Sequence, residues 1–206
     1  NQFFFFFFSG NVDQVGAIIA NSQAIHINAK RADGHCAITL ATALRHLNMV
    51  KYLISKRARV NARYRGNTPL HMAARNGDYA IAYALLQANA LITVRNNKGH
   101  TPLMSAALHN RTRIIKMLLV DAEANPNSVD NMGNTALMLA VIRGNSEAVT
   151  TLITWNADAN VHNLFSATPL MVAAKRRNLK IADLLLDAGA KVLVANSCGK
   201  TAIDIA

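Results

Sequence analysis

The chain has 206 residues, 51% of them apolar and 16% charged, with ten Gly and four Pro; this balance excludes a disordered tract and is enough to bury a sizeable core. Twenty-two Lys and Arg stand against 11 Asp and Glu, a formal net charge of +11, which favours acidic partners whatever the fold. No apolar run reaches the roughly 18 residues of a membrane helix, and the two distant cysteines, Cys36 and Cys198, cannot build a disulfide framework, so a reducing compartment is the simpler setting.

One phrase recurs along the chain. Its apolar anchors are Ile38, Leu70, Leu103, Leu137, Leu170 and Ile203, at spacings of 32, 33, 34, 33 and 33 residues. The phrases leading to them include Gly66-Asn67-Thr68-Pro69-Leu70-His71, Gly99-His100-Thr101-Pro102-Leu103 and Gly133-Asn134-Thr135-Ala136-Leu137. Gly supplies the positive φ of a tight turn, Thr is an N-cap, and Pro fits the first helical position where no donor is needed. A short helix then begins. Small residues follow the anchor by three and four positions, as in Ala73-Ala74, Ala106-Ala107, Ala140-Val141 and Ala173-Ala174, and let neighbouring helices approach closely. Gly77 and Gly144, seven after their anchors, mark where that helix stops. A second helix carries paired aliphatics: Leu53-Ile54, Leu85-Leu86, Leu118-Leu119, Leu152-Ile153 and Leu185-Leu186. Each unit closes on a phrase such as Ala58-Arg59-Val60-Asn61 or Ala157-Asp158-Ala159-Asn160.

This pattern resembles the ankyrin repeat over nearly the whole chain. The resemblance implies an all-α solenoid of helix-turn-helix pairs with β-hairpin-like finger loops. It implies one domain over 1–206, with units at about 1–31, 32–63, 64–96, 97–130, 131–163 and 164–196 and a truncated one at 197–206. Helices of two to three turns are unstable alone, so stacking must supply the stability. One-residue length changes before Leu70 and near Glu123 fall in loops between units, where a solenoid tolerates them.

Both ends depart from the pattern. Counting back from Ile38 places Asn28 as a closing Asn, Gly10 as an inter-helix Gly, and Phe3 to Phe8 in a first helix, with Phe6 and Phe7 where other units hold small residues. Overpacking there costs about 1–3 kcal/mol per site. Three accounts compete for this run: the stub of a signal peptide, an exposed aromatic helix, or a placeholder for unknown side chains; no function is attached to it. At the other end the chain stops at Ala206 inside a first helix, and a solenoid needs polar terminal units, so a longer protein is expected.

A search for chemistry finds no reaction centre. The seven His form no His-Glu-x-x-His pair and sit near no Cys-x-x-Cys, so zinc spacing is missing. The resemblance gives His71, in its Thr-Pro-Leu-His phrase, a bond to loop backbone. Phosphate-binding loops and nucleophile elbows are missing too, and the carboxylates are dispersed. Met72, Met104, Met117, Met138 and Met171 are expected in the core, and Trp155 as a packing residue. The expectation is no enzyme and no cofactor.

In ankyrin repeats the ligand meets the fingers and the exposed positions of the first helices. Those positions hold eleven bases here, Lys30, Arg31, Arg63, Arg65, Arg75, Arg95, Lys98, Arg143, Lys175, Arg176 and Lys200, against two acids, Asp33 and Asp130. Surface charges are often mere solvation, but most of the excess falls on one side. The expected partner-binding residues are Arg63, Tyr64, Arg65, Arg75, Arg95, Lys98, His109, Arg143, Phe165, Lys175 and Arg176. The leading reading is a protein-interaction scaffold or adaptor that holds an acidic or mixed acidic–aromatic segment of another protein on a basic concave face. The alternatives are a receptor for RNA, DNA or a phosphorylated ligand, and a targeting arm of a larger protein. No membrane insertion is expected, and the setting is cytoplasmic, with a bacterial effector delivered to a host cytosol as a variant.

Overall fold

A computed structural model describes residues 11–14, 17 and 27–206; the expectations placed on Phe3 to Phe8, Gly10 and His26 lie outside them. The described helices come in pairs: α1 (Ala37–Ala43) with α2 (Leu47–Ser55), α3 (Pro69–Asn76) with α4 (Tyr79–Gln87), α5 (Pro102–Leu108) with α6 (Thr112–Val120), α7 (Ala136–Arg143) with α8 (Ser146–Thr154), and α9 (Pro169–Lys175) with α10 (Leu179–Asp187). The short α11 (Ala202–Ile205) follows.

The repeated phrase sets each first helix. Thr68, Thr101, Thr135, Thr168 and Thr201 are extended N-caps whose hydroxyls accept from the amides of His71, Met104, Met138, Met171 and Asp204. At α1 the cap is Cys36, and Thr39 takes over: its Oγ1 accepts from the Cys36 amide at 3.0 Å and donates to the Cys36 carbonyl at 2.8 Å. Gly77 and Gly144 end α3 and α7 with φ of +85° and +74°. The equivalent places after α1, α5 and α9 are held by Arg45, Asn110 and Arg177, also left-handed at +63°, +54° and +53°. That conformation strains an Arg Cβ.

First helices stack on one another in chain order, α1 through α11, and second helices do the same, α2 through α10. The core lies between the two rows. Ile38, Leu70, Leu103, Leu137 and Leu170 are buried, as are Ala41, Ala73, Ala74, Ala106, Ala107, Ala140 and Ala173. Of each aliphatic pair on a second helix, the first member is fully enclosed (Leu53, Leu85, Leu118, Leu152, Leu185), whereas Ile54, Leu86, Leu119 and Ile153 are half-buried and Leu186 is exposed. The pairs therefore supply one core residue each. Full burial of one such side chain contributes about 1.5–3 kcal/mol.

The closing asparagines join unit to unit. Asn28, Asn61, Asn127 and Asn160 each accept, through Oδ1, the backbone amide of a residue in the next unit: Arg59 at 2.8 Å, Leu91 at 2.9 Å, Asp158 at 2.9 Å and Lys191 at 2.8 Å. In the third unit this position is Thr93, and the unit that follows it carries the extra residue near Glu123. The fingers are also tied to each other, through Asn131 N–H to Lys98 O at 3.1 Å and Leu164 N–H to Met132 O at 3.0 Å. Among the described residues the finger pairing amounts to isolated bridges, Lys30 with Cys36 and Tyr64 with Asn67.

His71 shows how finger and helix lock. Its Nε2–H donates to the His100 carbonyl of the next finger at 2.8 Å, and Nδ1 lies 2.8 Å from the Thr68 hydroxyl. This is the loop-backbone bond expected of it. Burial lowers its pKa from 6.5 to about 4, outweighing the carbonyl bond that favours the charged ring.

Two outcomes are expected. Replacing Arg177→Gly relieves a left-handed Arg with no cap bond at stake and should raise the unfolding free energy by about 1 kcal/mol in urea titrations. The unfolded chain takes up the His71 proton near pH 6.5 and the folded chain only near 4, so stability is complete above about 6.5 and falls as the pH drops towards 4. His35 and His100, also lowered by burial, add in the same direction. A His71→Gln variant should be less stable at pH 7 yet show a flatter urea midpoint between pH 6.5 and 4.

Candidate functional site

Fingers and first-helix ends from the α1 to the α7 units line an open trough of about 580 Å³. Six of the expected binding residues meet there: Tyr64 and Arg65 on one finger, Lys98 on the next, Arg75 in the last turn of α3, His109 capping α5, and Arg143 ending α7. No Asp or Glu is among its lining residues. Cations at helix C-termini sit well locally, because the last turn presents unpaired carbonyls.

Tyr64 and Arg65 are held by a tight finger turn. Tyr64 and Asn67 exchange two backbone bonds of 2.9 Å around Arg65 and Gly66, whose φ values are +47° and +80°. Two positive φ values in a two-residue loop give the turn that matches strand twist. The Tyr64 ring stacks on His35 of the preceding finger with centroids 3.3 Å apart, and the Arg65 guanidinium lies 5.3 Å from the Tyr64 centroid. This cation–π contact restrains Arg65 while leaving its hydrogen-bond donors exposed. Arg75 has its carbonyl fixed by Arg111 Nε at 3.1 Å. His109 donates from Nδ1 to Ser105 O at 2.9 Å, which leaves Nε2 as an acceptor while the ring is neutral. Among the described residues, none of Arg65, Arg75, Lys98 and Arg143 forms a salt bridge.

The two acids counted on this side are both engaged inside the fingers. Asp130 is buried; its Oδ1 accepts the Met132 and Asn134 amides at 2.8 Å, and its Oδ2 lies 3.2 Å from Asn134 Nδ2 and 3.4 Å from His100 Nε2. Burial lowers the His100 pKa, and Asp130 opposes that effect. Asp33 pairs with Arg31 at 3.4 Å.

The other five expected residues stand outside the trough. Arg95 is occupied within the scaffold: its Nε donates to Gly99 O at 3.2 Å and its Nη2 to Asn131 Oδ1 at 3.2 Å, joining two fingers. Arg63 is exposed beside Tyr64, Phe165 is exposed on a later finger, and Lys175 and Arg176 are exposed at the end of α9. Sequence reasoning missed several polar residues of the trough wall, among them Asn67, Asn76, Asn96 and Ser105. It also misplaced two apolar residues. Met72 is half-buried in the trough wall, because the residue after the buried His71 turns away from the helix rows. Trp155, at the C-cap of α8, is 39% exposed.

Known proteins resemble this chain in sequence and in fold. The chain resembles the probable E3 ubiquitin-protein ligase XBOS32 of Oryza sativa subsp. japonica, at 29% identity over 68% of this chain. It resembles Rabankyrin-5 of Mus musculus at 32% identity over 78% of this chain. It spans 34% and 14% of those two proteins' lengths. The crystal structure of the ankyrin repeat domain of Bcl-3 superposes with a TM-score of 0.92 at 21% identity, covering 100% of this chain and 93% of that one. Family profiles described as ankyrin repeats match residues 5–96, 89–163 and 152–206. With the repeated phrase, the stacked helix pairs and these matches in agreement, the chain belongs to the ankyrin-repeat family.

Proposed function

We propose that this chain is a non-catalytic scaffold or adaptor that holds an acidic segment of another protein in the trough. Ankyrin repeat domains generally serve as protein–protein interaction modules and are typically non-catalytic. The observation that carries the reading is the trough's composition: Arg65, Arg75, Lys98 and Arg143 line it, and among the described residues they form no salt bridge and no carboxylate lines it. Arg suits this role because its planar fork binds carboxylates through two bonds. Tyr64 and His109 supply an aromatic face and a hydrogen-bonding ring beside the cations. Arg63, Lys175, Arg176 and Phe165 extend the surface beyond the trough, and Arg95 contributes by holding the fingers in place.

Bonds between the fingers fix the geometry of the trough before binding, which lowers the ordering cost of a shallow site. A cytoplasmic, reducing setting fits the two free thiols, one buried at Cys36 and one exposed at Cys198. No described helix is long and apolar enough to cross a membrane.

A polyanion receptor is the second reading, favoured by the same cations and a pI near 10.2. Against it, Tyr64 is the one Phe, Tyr or Trp lining the trough among the described residues, and stacking platforms use several.

Changing Arg65, Arg75 and Arg143 together to Glu should weaken binding of a synthetic Asp/Glu-rich peptide more than tenfold, about 1.4 kcal/mol, without lowering the thermal midpoint. Equal binding by this variant overturns the proposal. Gel-shift titration with single-stranded RNA at low and high salt tests the second reading, since phosphate contacts weaken steeply as salt rises; RNA left unbound at low salt ends it.

A further inference from the structure

Two neighbouring fingers expose large apolar side chains at their tips. Met132 is 45% exposed, Leu164 72% and Phe165 57%. The other finger turns hold small, polar or charged residues, as in Ala32-Asp33-Gly34, Arg65-Gly66-Asn67, Asn97-Lys98-Gly99 and Ser197-Cys198-Gly199. The ledge has a firm base. Leu164 N–H donates to Met132 O at 3.0 Å, the Asn163 amide side chain reaches Asn134 Oδ1 at 3.1 Å, and Phe165 O accepts from Ser197 Oγ at 3.1 Å. Its backbone is thus tied to the fingers on either side.

The ledge is continuous with the trough through one unit. The finger that carries Met132 leads directly into α7, and α7 ends at Arg143 in the trough wall. Along the fingers the two halves differ in chemistry: Arg65 and Lys98 on the fingers before α3 and α5, and Met132, Leu164 and Phe165 on the fingers before α7 and α9. A ligand lying along the fingers meets charge first and apolar surface second.

We propose that the Met132–Leu164–Phe165 ledge is the apolar half of a bipartite docking surface, whose ligand is an extended protein segment with a run of acidic residues at one end and a large apolar side chain at the other. This rests on the reading of the trough as an acidic-segment site. The ledge itself favours a protein over a nucleic acid. Of its three side chains only Phe165 has a ring on which a base could stack, whereas an aliphatic or aromatic side chain packs against all three. An exposed apolar patch rimmed by polar residues is the usual mark of a protein contact.

The test uses two synthetic peptides and two proteins. Both peptides carry the same Asp/Glu run; one ends in Leu-Phe after spacers of graded length, the other in Ser-Ser. Calorimetric titration is made with the wild-type chain and with a Leu164→Ser/Phe165→Ser variant, whose fold is checked by its helical circular dichroism and thermal midpoint. Should that variant melt early, Met132→Ser alone takes its place. The wild type should bind the Leu-Phe peptide about tenfold more tightly than the Ser-Ser peptide, and the variant should bind both alike. Equal binding of both peptides by the wild type overturns the ledge and leaves the trough standing. A preference that persists in the variant also overturns it. If neither peptide binds, while a heparin fragment binds wild type and variant alike, trough and ledge readings both fall and the polyanion reading takes their place.

Discussion

Everything in this molecule depends on close contact between first helices of successive units. Those helices have seven or eight residues in the complete pairs, too few to be stable in isolation. They persist because alanines at matched positions, Ala73 and Ala74 against Ala106 and Ala107, then Ala140, leave no side chain to hold the helices apart. Val141 fits at the position of Ala74 and Ala107, but a still larger residue there forces neighbours off their rotamers at about 1–3 kcal/mol. The hydrophobic gain is shared between neighbours, and no unit owns a core of its own.

The same contact fixes the side chains that line the trough. Once the first helices stack, the fingers that precede them are brought into register, and bonds between fingers follow: His71 to the His100 carbonyl, Asn131 to Lys98, Arg95 to Asn131. A finger so held cannot relax to bury its own charge. Arg65 and Lys98 therefore remain at the surface by construction, while Arg75 and Arg143 are placed by the points at which α3 and α7 end. Helix length, set by Gly77 and Gly144, positions these two guanidinium groups.

The fold was legible because its determinants are local. Thr-Pro caps, left-handed glycines and small residues at fixed offsets each act within one turn, so they repeat visibly in sequence. Asn28, Asn61 and Asn160 were recognisable as closing residues for the same reason, although their function, accepting an amide about 30 residues away, needs the stack to be assembled. The site was legible only in part. Register told which side of the stack Arg65 and Arg95 share. It could not tell that the guanidinium of Arg95 would be spent on Gly99 and Asn131, nor that Asp130 would be sealed under its own finger turn. Both outcomes depend on neighbours one unit away, which no single phrase encodes. Met72 failed for a related cause: the helix face it occupies is core in a buried helix, but in a stacked row it opens onto the trough.

A trough of cations without counter-charges has a consequence for stability as well as recognition. Like charges gathered in one trough repel one another, and salt screens the repulsion. The fingers cannot move apart to relieve this, because the bonds between them and the helix rows beneath hold them together. The repulsion is therefore stored in the folded state and absent from the unfolded one. An acidic segment that enters the trough gains its own contacts and also removes part of that stored repulsion. Binding and folding are linked by this term: whatever neutralises Arg65, Arg75, Lys98 and Arg143 in place raises the stability of the stack by mass action, and added salt achieves a weaker version of the same effect. On the proposed reading, an acidic segment in the trough would make the stack more stable than it is when empty, with the largest gain in the units from α3 to α7, where the cations lie.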